Sequence, residues 1–114
     1  MKDYMFIIRG GQDVGATKSP EEMQEHMQHW QKWMGGMAQA GKLVGGQPLM
    51  NEGRTLVASG TSVIDRPLVE GKELVGGYLI VKADSLDAAT ELAQGCPGFE
   101  HACTVEVREI RPMD

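Results

Sequence analysis

Apolar side chains recur every three or four residues in the second quarter of the chain, where they step by 4, 3, 4 and 3 positions. At about 100° per residue, such steps keep the side chains in one stripe along a helix, and we expect that stripe to be buried. Ser19, Pro20 and Glu22 precede it in the capping-box arrangement that begins helices. The pattern therefore predicts a helix from Ser19 to near Gly41. The members of the stripe are Met23, Met27, Trp30, Met34 and Met37.

A second helix is predicted from Asp84 to Gly95. Asp84 stands at the N-cap position and Asp87 at the third helical position, and Gly95 with Pro97 beyond it marks the end. The apolar residues of this segment share one helical face: Leu86, Ala89, Leu92 and Ala93.

Five short runs rich in β-branched or aromatic residues predict strands at 4–9, 43–49, 62–65, 74–82 and 104–110. The element order is then one strand, a helix, two or three strands, a helix and a last strand. This is the split βαβ pattern, which predicts an α+β chain with a ferredoxin-like βαββαβ sheet and both helices on one face.

Two of the predicted strands are apolar on both faces, which is unusual for a sheet with helices on one side only. Residues 4–8 and 74–81 show this pattern, whereas residues 104–110 alternate between apolar and charged side chains. A monomer would expose a large apolar patch on the second face of such a sheet. We therefore predict a homodimer in which the sheet of a second copy covers that face.

Composition and charge narrow the class of protein. The chain has 114 residues, 41% hydrophobic and 24% charged, which fits a single domain over residues 1–114. Its 11 Lys and Arg against 16 Asp and Glu leave a net charge of −5 without a basic run, so no nucleic-acid partner is expected. Arg9 interrupts the first apolar run, which fits neither a signal peptide nor a membrane span. Cys96 and Cys103 lack C-x-x-C spacing, and we predict free thiols in a cytoplasmic protein.

Six stretches distributed along the chain are distinctive: YMFII at 4–8, SPEEM at 19–23 with His26, Met27 and Trp30, GKLVGG at 41–46, DRPL at 65–68, GGYLI at 76–80 and VEVR at 105–108. They resemble the YCII-related family, and the resemblance covers nearly the whole chain. It implies a ferredoxin-like α+β fold whose sheets pair face to face as a dimeric α/β barrel. It also implies the active-site His–Asp pair proposed for that family, in a superfamily with isomerases, oxygenases and dehalogenating enzymes of small cyclic compounds.

His26 is the first candidate for chemistry. Relative to Met23, His26 and Trp33 fall about 60–80° to one side of the apolar stripe, at the rim of the face expected to be buried. An imidazole titrates near neutrality, so His26 is a candidate general acid or base, and Trp33 beside it is a candidate substrate-binding residue. The alternative is a surface histidine that packs against Trp30.

Asp65 is the second candidate. By the resemblance it orients His26, and we predict that the two side chains meet at one cleft. The alternative is an aspartate that accepts backbone amides in a turn. Arg66 is a candidate for binding a substrate carboxylate, or else a solvated turn residue. The family's usual Asp-Gly-Pro-Phe signature departs here, because Arg66 and Leu68 stand where Gly and Phe are usual, while Asp65 and Pro67 match.

Neither a metal nor an organic cofactor is predicted. His26 and His29 have the i, i+3 spacing of a metal pair, but no third ligand lies at a suitable spacing and His101 is far along the chain. The glycine-rich segment 10–15 follows a strand without opening a helix at its last glycine, which argues against dinucleotide binding. The methionines and tryptophans at helical spacing indicate a core stripe, not a flavin or haem pocket.

Two functions from different classes remain. In the first, the protein is a cofactor-independent isomerase, lyase or dehalogenase in which His26 moves a proton on a small cyclic or carboxylated substrate and Asp65 orients it. In the second, it is a non-catalytic dimeric module for a small ligand or partner. The rim position of His26 favours the first, and the lack of an evident nucleophile or oxyanion site favours the second.

Overall fold

A computed structural model describes residues 1–11, 18–70 and 73–113. Helix α1 spans Pro20–Gln39 and begins with the predicted capping box. The Glu22 amide donates to the Ser19 hydroxyl, and the Ser19 amide donates to the Glu22 carboxylate, each at 3.2 Å. Gly41 takes a φ of +71° just after the helix, a conformation that costs glycine little. Both ends of α1 are therefore as predicted.

Helix α2 spans Leu86–Ala93, and its N-cap lies one residue later than predicted. Ser85, not Asp84, is extended at the cap, and its hydroxyl accepts from the amide of Ala88 at 3.1 Å. Both residue types cap helices well, so the sequence alone did not separate them. A short 3₁₀ turn, Pro97–His101, follows the helix and leads into the last strand.

Among the described residues the strands are β1 Lys2–Arg9, β2 Leu43–Pro48, β3 Thr55–Val57, β4 Ser62–Ile64, β5 Val69–Glu70, β6 Glu73–Ala83 and β7 Thr104–Glu109. The main sheet is antiparallel, with strand order β2-β6-β1-β7 and with β5 paired to β6. Its connectivity through both helices is that of the predicted ferredoxin-like α+β fold.

The core lies between the helices and one face of the sheet. Tyr4, Phe6 and Val81 are at most 1% exposed, and Met37 of α1 and Ala89 of α2 are buried with them. Both helices therefore cover the same face, as predicted. On the other face the apolar cross-strand pairs are only partly buried: Met5 with Ile80 and Ile7 with Tyr78.

The apolar stripe of α1 is buried only at its C-terminal end, which corrects the sequence prediction. Met37 is 4% exposed, whereas Met27 is 52% exposed. Met23, Trp30 and Met34 are partly buried between these extremes. The first half of α1 stands over an open space at the end of the sheet, so its apolar side chains line a cavity.

Residues 49–68, which we call the arm, leave the main sheet between β2 and β5. Within the arm β3 and β4 pair only with each other, as a separate two-stranded sheet. The sequence predicted a strand at 62–65 but not its partner β3. Most of the arm is exposed, including Leu56 at 60% and Val63 at 58%. In the part of the chain that the structure describes, neither helix has the length and apolarity to cross a membrane.

Candidate functional site

A cavity of about 460 Å³ lies between the first half of α1 and the ends of β2, β6 and β1. Its wall is mainly apolar, with side chains from α1 on one side and glycine-rich strand backbone on the other. Gly46 and Gly77 allow β2 and β6 to approach closely, because a Cβ on either would lie 2.5 Å or 3.1 Å from the backbone of the other strand. Side chains with polar atoms in this wall are few: His26, Trp30, Gln47, Asn51, Tyr78, His101 and Cys103.

His26 lies between Trp30 and His101 at this wall. The Trp30 indole N–H donates to Nε2 of His26 at 2.9 Å, one helical turn along α1. On its other side, Nδ1 of His26 lies 3.0 Å from Nε2 of His101. His101 is the last residue of the Pro97–His101 turn, which packs near α1. The two ring nitrogens of His26 thus have one partner on the same helix and one that is 75 positions away.

The partner atoms determine where the protons lie. An indole nitrogen can only donate, so Nε2 of His26 must be an acceptor without a proton. A neutral imidazole carries one proton, which for His26 is then on Nδ1, and Nδ1 donates to His101. Nε2 of His101 must accept, which leaves the proton of a neutral His101 on its Nδ1. All the hydrogen bonds of this group are therefore donated in one direction, from Trp30 to His26 and from His26 to His101.

The electrostatic surroundings favour the neutral form of His26. Burial is the largest cause that lowers the pKa of His26 below 6.5, and the charge of a protonated His101 is the second. Lys18 and His29 lower this pKa further, whereas Glu100 opposes them from 3.9 Å. Glu100 lies closer to His29, at 3.1 Å, so its charge is shared with that ring. The neutral form is the one that the Trp30 bond requires.

Three potential metal ligands come together here: His26, Glu100 and His101, whose ligand atoms all lie within 4.8 Å of one another. The sequence spacing did not predict this cluster. A metal on Nδ1 of His26 would replace the proton there and leave one on Nε2, facing the indole N–H of Trp30. Metal binding by His26 therefore requires the Trp30 bond to break, and the observed arrangement favours a proton over a metal.

Asp65 and Arg66 lie elsewhere, at the end of the arm. Asp65 accepts from Arg54 at 3.1 Å, and both side chains are largely exposed, at 85% and 70%. Arg66 fixes the turn through its backbone, because its carbonyl accepts from the Thr55 hydroxyl at 2.8 Å. These residues line a separate cavity of about 540 Å³.

The structure of one chain does not bring Asp65 to His26. No hydrogen bond or ion pair joins the two side chains within the described residues, and they line different cavities. The reason is topological: β4 pairs with β3 in the arm instead of joining the main sheet, so Asp65 does not end beside α1.

Trp33 also lies outside the cavity of His26. Its indole N–H donates to the Leu92 carbonyl at 3.0 Å, and its ring stacks on Phe6 with centroids 6.2 Å apart. It lines a wider surface cavity of about 620 Å³ near Lys32 and Glu100. In the described structure Trp33 thus connects the two helices to the sheet.

His101 is the partner that sequence reasoning missed, whereas Trp30 was expected beside His26 only as a packing neighbour and not as a hydrogen-bond donor. His101 is 75 positions from His26, and no motif or periodicity links them. Trp30 was assigned to the core, and its spacing of four residues from His26 was the one local signal for a hydrogen bond.

The two cysteines are free, as predicted, and Cys103 lies in the same cavity wall.

Comparison with known families gives one match over nearly the full length. The sequence profile of the YCII-related domain matches residues 3–114. The chain has no match among curated proteins.

Proposed function

The chain belongs to the YCII-related family, and we propose that it binds a small molecule in the cavity beside α1 and promotes a proton transfer on it by polarising it with the His26–His101 pair. The reaction class is that of a cofactor-independent isomerase, lyase or dehalogenase, with a small cyclic or carboxylated substrate. The observation that carries the proposal is the pair itself: two imidazoles joined at 3.0 Å in the wall of an apolar cavity.

In this proposal Nδ1–H of His101 donates a hydrogen bond to a substrate oxygen and polarises it, water takes up the C–H proton that is released, and His26 positions the His101 ring. Both ring nitrogens of His26 have protein partners, whereas Nδ1 of His101 has none among the described residues. A positioned acid or base contributes about a hundred- to ten-thousand-fold in rate. Asp65 and Arg66 of the same chain take no part, because they line another cavity.

Hydrogen exchange on candidate substrates tests the proposal. Small cyclic carboxylates and lactones with acidic C–H groups are incubated in D₂O with the protein, and deuterium uptake is followed by NMR. We expect uptake with the wild type, a loss of at least about a hundredfold with His101→Gln, and no change with the matched control Asp65→Asn. Equal uptake by wild type and His101→Gln would refute a proton-transfer role for the pair.

A second function, a non-catalytic small-ligand module, is favoured by one observation. His26 is neutral and bonded at both nitrogens, which suits a rigid recognition element as well as a catalytic one. Binding in the cavity, detected as a shift in Tm or in NMR signals, without any deuterium uptake would favour this module over an enzyme.

We also propose that two copies pair through the sheet face that the helices leave uncovered, and that the protein is cytoplasmic. The smallest dimension of the chain is 19 Å, about one helical layer on one sheet. The uncovered face carries the apolar pairs of β1 and β6. Light scattering should give twice the chain mass of 12.4 kDa at micromolar concentration. A monomer mass there would remove the paired-sheet architecture.

A further inference from the structure

We infer that Trp30 sets the direction of the hydrogen-bond chain, so that the cavity accepts molecules whose polar end is a hydrogen-bond acceptor. This inference rests on the proposed function and names the class of ligand for it: a small, mainly apolar molecule with a carbonyl, carboxylate or phenolate oxygen.

Trp30 is held firmly enough to impose a direction. Its ring packs edge-on against Trp33 with centroids 5.6 Å apart, and Trp33 in turn stacks on the fully buried Phe6. The indole N–H therefore has a fixed position relative to the core. Because it lies one helical turn from His26, its bond to Nε2 is part of the geometry of α1.

The same order of donors and acceptors extends from His26 to His101, at the other end of the hydrogen-bond chain. Because the Trp30 N–H donates to Nε2 of His26, neutral His26 carries its proton on Nδ1 and donates from there. Nε2 of His101 is then the acceptor of that hydrogen bond. Neutral His101 then presents Nδ1–H as its unused group. The ring of His101, at the end of the 3₁₀ turn, packs edge-on against His26 with centroids 4.2 Å apart.

The Nδ1–H group of His101 favours ligands that place a hydrogen-bond acceptor next to it. An acceptor oxygen near Nδ1 of His101 completes the chain, whereas a group that only donates leaves two facing N–H groups. A net hydrogen bond in such a setting changes affinity by roughly three- to tenfold. Phenyl or similar carbon frames suit the rest of the wall, which α1 lines with methionine and tryptophan side chains.

Imidazole NMR tests the direction. In protein labelled with ¹⁵N at histidine, at pH 8, we expect the proton of His26 on Nδ1 and Nε2 of His101 without a proton. Trp30→Phe keeps the aromatic ring but removes the donor, and it should shift His26 toward the Nε2–H form. Met27→Leu changes an apolar side chain of the same helix and the same cavity wall, so this matched control should leave both histidines unchanged.

Two probes test the ligand class: acetophenone, whose polar atom only accepts, and indole, whose polar atom only donates. We expect the wild type to favour acetophenone over indole by roughly three- to tenfold, and Trp30→Phe to remove most of that preference. His26 with its proton on Nε2 in the wild type would overturn the inference and leave the proposed function standing. The expected protonation with no binding of either probe would overturn the proposed cavity function and the ligand class together.

Zinc gives an independent check on the same atoms. Zn²⁺ on Nδ1 of His26 would displace the proton there and require the Trp30 bond to break, so equimolar Zn²⁺ should raise the Tm of Trp30→Phe more than that of the wild type. An equal or larger rise in the wild type would contradict the role of Trp30 in fixing the proton order.

Discussion

The cavity beside α1 and the arm each hold one of the two residues that the sequence marked for chemistry, and they support those residues differently. The His26 side chain is 11% exposed, bonded on both sides and backed by the aromatic rings of the core. The Asp65 side chain is 85% exposed and pairs with an arginine that is also in solvent. Exposed ion pairs of this kind contribute little to stability.

The contrast teaches what makes a polar residue useful in a site. At His26 the surroundings restrict the ring, its proton and its partner, so a reaction could use a single defined geometry. At Asp65 solvent screens the charge, and only the turn is well defined. A functional role for the arm would need something else to cover it.

Removal of a core ring should have the largest effect and separates the two regions most clearly. Phe6→Ala removes a fully buried ring under Trp33, and we expect it to lower the free energy of unfolding by about 3–5 kcal/mol. Leu56→Ala, in the arm and 60% exposed, should cost less than about 1 kcal/mol. Urea unfolding measures both. If Phe6→Ala does not fold, Phe6→Leu provides a milder change, and a large loss at Leu56 would show that the arm is covered in solution.

Thiol reactivity should differ by about two orders of magnitude between the regions. Burial raises the pKa of Cys96 from 9.0 to about 11, and burial also raises the pKa of Cys103. A thiolate fraction about a hundredfold lower slows reaction with a disulfide reagent in proportion. The variant Ser62→Cys adds a thiol to the exposed arm as the matched reference. In the native protein Cys96 should react about a hundredfold more slowly than the thiol of Ser62→Cys, and fast labelling of native Cys96 would contradict the described packing.

Helix capping should have an intermediate effect. Ser19→Ala removes the cap of α1, the helix that carries His26, and we expect a loss of about 1 kcal/mol in the free energy of unfolding. Asp65→Asn weakens only an exposed pair and should change stability by less than about 0.5 kcal/mol. Equal losses from both changes would remove the distinction between supported and solvated positions.

The pH dependence of stability should show the smallest effect. The pKa of His26 is lowered in the folded protein, mainly by burial, so the unfolded chain takes up a proton first as the pH falls. The stability that neutral His26 contributes is therefore present above pH 6.5 and is lost as the pH falls from there toward the folded pKa. His26→Gln should flatten the Tm profile between pH 5 and 7.5, whereas Asp65→Asn should leave that range unchanged. If the wild type instead becomes more stable as the pH falls through this range, Glu100 raises the pKa of His26 by more than burial lowers it.

Much of the fold could be predicted because its signals are local. The capping box at Ser19 and the β-branched runs act within a few residues, and the order of elements then allows few topologies. The errors were also informative. Ser85 caps α2 instead of Asp84, although both residue types cap helices about equally well. Strand β4 pairs with β3, whose three residues are too few to give a clear strand pattern in the sequence.

The candidate site could be predicted only in part. His26 was found because its angle on α1 follows from helical geometry, which the sequence contains. His101 was not found as its partner, and Asp65 was expected beside it instead.

The sequence by itself determined the helices, most of the main strands, their order and the rim position of His26, because periodicity and capping depend on near neighbours. Only the tertiary structure decided that His101 completes the pair across 75 positions, that Asp65 stays in the arm, and that half of the α1 stripe faces a cavity. These outcomes depend on two features of the tertiary structure. The connection from α2 to β7 brings His101 to α1, and the pairing of β3 with β4 keeps Asp65 in the arm. No local pattern encodes such distances, and the proton order through Trp30 follows only once they are set.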